Sequence, residues 1–242
     1  MSLRSEIMGS CLLCLGSGWV DGEACSCLLR FRSYNRLVNG GFSRTAIDIV
    51  NSESYQIPYI EQGEEFVNFF LNNPSVAEER GLGLFIYSQD RGRGKTTLAH
   101  KLMFEAAAQF VKKDSYSPKR TYAFQHVEDL LKSFKNDDSS AWKSTWYVLD
   151  DLGNEDRYTE WKRSLFLSSL QRVFHYRRDR RLPTLITSNY KPSDLSQVYQ
   201  GELDSLLEIK PSGDLGGSLL RSVRVGGAED LRLAEDNNAW PI

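Results

Sequence analysis

The residues Ser88-Gln89-Asp90-Arg91-Gly92-Arg93-Gly94-Lys95-Thr96-Thr97 follow directly on the apolar run Leu84-Phe85-Ile86-Tyr87. A buried strand, then a glycine-bearing loop, then a helix opening at Lys-Thr is an arrangement that cradles phosphates. Successive backbone N–H groups wrap the anion, and glycine lets that backbone come close. Lys95 supplies a point positive charge, the Thr96 hydroxyl can ligate Mg²⁺, and the helix amino terminus adds its partial positive charge. We assign Asp90, Arg91, Gly92, Arg93, Gly94, Lys95, Thr96 and Thr97 to nucleotide binding. The usual first glycine of Gly-x-x-x-x-Gly-Lys-Thr is Gln89 here. A surface turn rich in Gly and Arg is the plain alternative, and the agreement of strand, glycines, Lys-Thr and helix argues against it.

Further downstream, Trp146-Tyr147-Val148-Leu149-Asp150-Asp151-Leu152-Gly153 is an apolar strand ending in two carboxylates. Asp150 is expected to hold Mg²⁺ through its water shell, and Asp151 to orient the attacking water. Asp is shorter than the Glu often found at this second place, so slow hydrolysis is expected. Leu185-Ile186-Thr187-Ser188-Asn189 is another buried strand, presenting the Asn189 amide to the γ-phosphate or the water. Taken singly, each of these strand ends could be an ordinary turn.

Cys11, Cys14, Cys25 and Cys27 are all the cysteines of the chain, spaced Cys-x2-Cys-x10-Cys-x-Cys. Four thiolates complete a tetrahedral Zn²⁺ site, and an iron–sulfur cluster or four reduced structural cysteines are the alternatives. His175-Tyr176-Arg177-Arg178-Asp179-Arg180-Arg181 is a basic, aromatic-bearing cluster ending a helix. It could contact phosphates or stack bases, or be a solvated helix end where cations are favoured. In the tail, Arg221 and then Arg224 are candidates for an arginine that reaches a neighbouring subunit's γ-phosphate, and Arg232 for nucleotide contact within the subunit.

These residues need elements to position them. From Gly83 the hydrophobic pattern alternates: strand Leu84–Ser88, helix Lys95–Val111, strand Thr121–Gln125, helix near Val127–Phe134, strand Trp146–Leu149, helix Trp161–Tyr176, strand Pro183–Thr187. This is the order of a parallel α/β sheet with its ligand at the carboxyl edge of the strands. Short strands are expected at Leu206–Ile209 and Val223–Val225, and a helix at Glu61–Leu71. Asn39-Gly40-Gly41 stops a helix carrying Phe31, Tyr34 and Leu37. The expected division is a zinc module at 1–41, a polar linker at 42–58 and an ATPase domain at 59–242.

Composition bounds the rest. The 242 residues are 40% hydrophobic and 26% charged, ordinary for a globular chain. No run approaches the roughly 20 apolar residues of a membrane span, and no secretory signal is evident. The net charge of −2 requires any nucleic-acid surface to be local. Cysteines clustered in the first 27 residues favour metal over disulfides.

Taken together, the Gly-x-Gly-Lys-Thr loop, Leu149-Asp150-Asp151-Leu152-Gly153 and Thr187-Ser188-Asn189 resemble the AAA+ ATPases of the DnaC/DnaI/IstB group, and in the group's order. The cysteine knuckle looks like the zinc module of DnaI-type and phage loaders, and Gly227 to Arg232 is similar to the group's ending. The resemblance implies an AAA+ fold with a reduced or absent helical lid. It implies ATP- and Mg²⁺-dependent delivery of a hexameric replicative helicase onto single-stranded DNA, in the cytoplasm of a bacterial or phage-infected cell. The ATP-bound subunits would self-assemble, and the N-terminal module would grip the helicase. An IstB-like transposition helper and a nucleotide-binding adaptor with weak hydrolysis are the other readings. A small-molecule P-loop kinase leaves the Thr-Ser-Asn strand and the late arginines without a task.

Overall fold

The computed structural model describes residues 3–9, 11–52, 54–113, 120–154, 160–199, 201 and 220–226. The chain opens with helix α1 (Leu3–Met8), a tight antiparallel ribbon of β1 (Trp19–Val20) and β2 (Glu23–Ala24), and helices α2 (Ser26–Asn39) and α3 (Arg44–Val50). Strand β3 (Ile60–Gln62) leads into α4 (Glu64–Asn72) and α5 (Pro74–Arg80). The alternating part follows: β4 (Gly83–Tyr87), α6 (Lys95–Lys113), β5 (Tyr122–His126), α7 (Val127–Lys135), β6 (Trp146–Leu152), α8 (Glu160–Asp179), β7 (Thr184–Ser188), α9 (Pro192–Val198) and β8 (Leu220–Val225).

Six strands form one sheet in the order β3-β8-β4-β7-β6-β5. All pairings are parallel except β3 with β8. Parallel strands need crossover helices, and helices on both faces bury the sheet. The alternation of side chains along each strand sorts the core accordingly. Leu84, Ile86, Trp146, Val148, Leu185 and Val223 pack on the face covered by α6. Phe85, Tyr147, Leu149 and Ile186 face α7 and α8 on the other side. The order places β7 between β4, which leads into the glycine loop, and the Asp150 strand β6, so the three strand ends that carry candidate site residues adjoin at the carboxyl edge.

Two sequence expectations change here. The polar stretch at 42–58 is not a plain linker. Ser43 caps α3 by accepting from the Ala46 N–H, and Ile47 and Val50 are fully buried against α6. Phe42 is 3% exposed and meets the His100 and Phe124 rings edge-on, each at a centroid distance of 5.4 Å. The expected module at 1–41 is likewise joined to the segment at 59–242, since α2 packs on α6 and β5 through Tyr34 and Leu37. The Gly40 carbonyl accepts from the Phe124 N–H at 2.8 Å, extending the edge of the sheet. A Cβ on Gly40 would run into the Tyr122 carbonyl, which is why glycine stands there. The strand expected at Leu206–Ile209 and any lid after α9 lie outside the described residues. Among the described residues, no helix is long and apolar enough to cross a membrane.

Candidate nucleotide site and cysteine centre

The phosphate loop runs from β4 to the first turn of α6. Gly92 and Gly94 hold φ values of +75° and +81°, which glycine adopts without strain, so two successive bends are possible in so short a loop. Lys95 is 7% exposed, and its Nζ donates to the carbonyls of Asp90 at 3.1 Å and Ser88 at 3.5 Å. The ammonium is therefore held over the loop rather than in solvent. Arg93 reaches Asp90 at 3.3 Å with Nη2, while its buried Nε and Nη1 have no partner among the described residues. Buried unpaired donors are costly, and the oxygens of a polyphosphate are acceptors of the right kind for them. Gln89, Asp90 and Arg91 are exposed at the tip of the loop.

Asp150 is buried beneath this loop at 4% exposure. Thr96 Oγ1 donates to its Oδ1 at 2.9 Å, Thr187 Oγ1 donates to the same oxygen at 2.6 Å, and His126 Nδ1 lies 3.1 Å from Oδ2. Burial pushes the Asp150 carboxyl up, but the hydrogen bonds from His126, Thr187 and Thr96 outweigh it and hold the group below the usual carboxylate range. The same contact raises His126, against the opposing effect of its partial burial. Thr96 and Asp150, the two residues expected to serve Mg²⁺, thus converge on one point although they are 54 positions apart.

The pairing of β6 with β7 slips between Leu149 and Leu152, with Leu149 opposite Ile186 and Leu152 opposite Ser188. Three residues of β6 span what two span on β7, so a bulge sits at the aspartates. In a regular strand Asp150 and Asp151 would point to opposite faces. The bulge re-aims them so that Thr187 serves both. Its hydroxyl accepts from the Asp151 N–H at 2.9 Å while donating to Asp150. Asp151 itself has φ +68°. Its Oδ1 accepts from Asn189 Nδ2 and its Oδ2 from Asn154 Nδ2, each at 2.8 Å. The expected pair of Asp151 and Asn189 is therefore in direct contact. His126, Asn154 and the bridging role of Thr187 were not foreseen. Thr187 had a visible signal as part of Thr-Ser-Asn, whereas His126 and Asn154 are brought in by strand register and by the turn after β6.

His100, one turn into α6, is buried, and its Nδ1 lies 2.8 Å from the Thr96 carbonyl. Burial keeps it below its ordinary pKa, so the neutral ring donates from Nδ1 to that carbonyl. The same ring packs on Phe42 and Phe124, which ties the first turn of α6 to the N-terminal segment.

The two arginine candidates separate. Arg221 is 4% exposed, on the face of β8 that carries Val223 and Val225, with its guanidinium 5.9 Å from the Phe66 ring. A side chain so placed does not present itself to a neighbouring subunit. Arg224 stands opposite Tyr87 at the carboxyl edge, has a 42% exposed side chain and pairs with Glu61 at 2.9 Å. Arg232 lies outside the described residues.

The four cysteines meet in a small core of their own with Met8 and Leu28. All four Sγ atoms lie within 4.8 Å of one another, with Cys11–Cys25 at 3.7 Å and Cys14–Cys27 at 3.3 Å. A tetrahedral ion with metal–sulfur bonds of about 2.3 Å sets its sulfurs about 3.8 Å apart, so the cluster fits. Burial opposes the Cys14 thiolate, but the Gly18 N–H at 3.3 Å and the neighbouring thiols hold its pKa down to about 6. Burial and the adjacent sulfurs push Cys27 up. Sulfurs this close cannot all ionise without a cation among them.

No protein-family model matches the chain, and no curated protein matches it in sequence. Solved structures do match in fold. The structure described as the DnaC helicase loader superposes with a TM-score of 0.54 at 22% identity, covering 76% of this chain and 100% of that one. The structure of DnaI gives 0.53 at 18% identity, over 79% of this chain and 94% of that one. A mostly parallel sheet with the phosphate loop, the paired aspartates and Asn189 at one edge is thus set in the same fold as DnaC and DnaI.

Proposed function

We propose that this chain is an ATP-driven loader that delivers a hexameric replicative helicase onto single-stranded DNA during the initiation of replication, in the cytoplasm of a bacterial or phage-infected cell. The observation that carries the reading is the convergence of Thr96, Thr187 and His126 on Asp150 beneath the phosphate loop, set in the fold of DnaC and DnaI. Gly92, Gly94, Lys95 and Arg93 bind the phosphates of ATP. Thr96 and Asp150 would hold Mg²⁺, which would neutralise phosphate charge. Asp151 orients the attacking water, and Asn189 fixes the Asp151 carboxylate. Arg224, rather than Arg221, is the arginine that meets a neighbouring subunit's nucleotide when ATP-bound subunits abut.

Both oxygens of Asp151 already accept amide hydrogen bonds, and this favours a slow ATPase that works as a switch. The same observation supports the second reading, an adaptor whose bound nucleotide matters more than its hydrolysis.

Cys11, Cys14, Cys25 and Cys27 hold a Zn²⁺ ion, which supplies the charge compensation that closes the knuckle. The helicase grip lies on this knuckle. Phe31, Tyr34 and Leu37 turn inward, with Tyr34 and Leu37 in the core, whereas Leu12, Leu13 and Leu15 are 89%, 75% and 85% exposed on the turn between the cysteines. Apolar side chains so exposed mark an interaction surface.

The test is recovery of partners from source lysate on immobilised chain, with and without Mg-ATP. A co-recovered hexameric helicase supports the loader, a transposase supports the transposition helper, and recovery indifferent to nucleotide refutes the switch.

A further inference from the structure

A second surface lies on the rim of the sheet opposite the nucleotide site. It is built from the end of α7, the loop leading into β6 and the last turns of α8, all at the amino ends of the parallel strands. Asp150 lies four residue steps along β6 from Trp146, roughly 13 Å at about 3.3 Å per residue.

Three rings form its floor. Trp142 stacks on Phe134 at 5.7 Å with planes 5° apart, and Tyr176 meets Trp142 edge-on at 5.1 Å. Three cations stand over these rings. Arg172 lies 5.6 Å from Phe134 and 5.9 Å from Trp142, Lys143 lies 5.2 Å from Trp142, and Arg180 lies 3.9 Å from Tyr176. All three are exposed, and among the described residues none has a carboxylate partner. Elsewhere on the molecule, cations such as Lys101, Lys132 and Lys191 pair with Glu105, Asp129 and Asp194. Asp138 stands in the same loop but turns to Ser140.

Beneath the patch, Arg177 is 2% exposed and, among the described residues, makes no ion pair. Its guanidinium donates to the carbonyls of Trp142, Ser144, Thr145 and Pro183 and to Thr184 Oγ1. This buried fork pins the Trp142 loop to α8 and the start of β7, and adds a fixed positive charge under the surface.

We infer that this rim binds the phosphodiester backbone of a nucleic acid, without reading its bases, through Lys143, Arg172 and Arg180. Guanidinium groups pair well with phosphate oxygens, and cations already ordered on rings lose less freedom on binding. Trp142 is 3% exposed and covered by the cations, so it offers no face for base stacking. A protein interface would call for an exposed apolar centre, and no large exposed hydrophobic residue of the described chain belongs to this patch. The inference identifies where the DNA named in the proposed function would sit, yet it requires neither a helicase nor ATP hydrolysis, so the two can fail separately.

The experiment is fluorescence anisotropy with a labelled thirty-nucleotide oligo-dT and, in a second arm, a duplex of equal length, across a salt series on the full chain. The test variant is Lys143→Gln/Arg172→Gln/Arg180→Gln. The control, Arg44→Gln/Lys101→Gln/Lys191→Gln, removes the same charge elsewhere. Each phosphate contact on a single strand contributes about 0.7 to the slope of log affinity against log salt. The test variant should lose about 2 in slope, and hence about 100-fold in affinity at 0.1 M salt. The control should stay within about threefold of wild type. A preference in wild type for one arm identifies whether single or paired strands supply the backbone. Unchanged affinity and slope in the test variant, or equal losses in test and control, would overturn the inference. So would a wild-type chain that binds neither probe, which would leave an acidic protein as the partner of the patch. If the triple variant has a lowered Tm, Arg172→Gln and Arg180→Gln singly must each lower the slope by about 0.7.

Discussion

Phe42→Ala separates a docked N-terminal segment from a tethered one. Phe42 is 3% exposed and sits between α3, the His100 ring of α6 and the Phe124 ring of β5. Truncating a buried Phe to Ala costs about 3–5 kcal/mol, of which edge-on ring pairs account for about 0.5–1.5 kcal/mol each. Against a typical domain stability of about 5–15 kcal/mol this is a large fraction. For a chain of this length it corresponds to a fall in Tm of about 6–20 °C. Calorimetric melting with Leu12→Ala as the exposed control measures it, and the control should stay within about 0.5 kcal/mol of wild type. Because His100 holds the Thr96 carbonyl, loosening its packing should also weaken Mg-ATP binding. A Tm for Phe42→Ala within about 2 °C of wild type would refute the docked arrangement and restore the linker.

Other substitutions probe the nucleotide site and the cysteine cluster. Thr187→Val keeps the shape but removes the donor to Asp150 and the acceptor for the Asp151 N–H, so a loss of about 2–5 kcal/mol is expected in urea unfolding, and a loss under about 0.5 kcal/mol would show that the bridge is dispensable. Asp151→Asn should bind ATP with near wild-type affinity in calorimetry yet turn it over at least about tenfold more slowly, and wild-type turnover would move the role elsewhere. The Asp150 contact raises His126, so the folded protein holds that proton more tightly than the unfolded chain; the stabilisation is complete below about pH 6.5 and fades as pH rises through the folded value. His126→Asn should flatten this part of the Tm–pH curve, and an unchanged curve would disprove the linkage. Protein purified without added metal should carry one Zn²⁺ per chain by elemental analysis, and absence of both zinc and iron would defeat the metal assignment of Cys11, Cys14, Cys25 and Cys27.

Local pattern made much of this molecule legible. The alternating β4-to-β7 segment stands within a few residues of where periodicity put it, because long amphipathic helices and buried apolar strands carry strong local signals. The loop between β4 and α6 reads directly because its glycines and Lys95-Thr96 are contiguous in the sequence. The cysteine cluster reads because its spacing is short. Other features depend on partners distant in sequence. The helix α3 is only 7 residues long, and Ile47 and Val50 form no recognisable stripe until α6 covers them. Arg177 looks like one arginine among several in a basic run, and only the carbonyls of residues some 30 positions away make it a buried staple. Arg221 and Arg224 are equivalent in a sequence, whereas strand alternation buries one and exposes the other. The two aspartates announce a strand end, but their shared use of Thr187 rests on a one-residue slip against β7. Spacing along the chain determines which chemistries are available. Register, burial and the packing of distant segments decide which atom of which residue performs them, because those are set by free energies summed over the whole core.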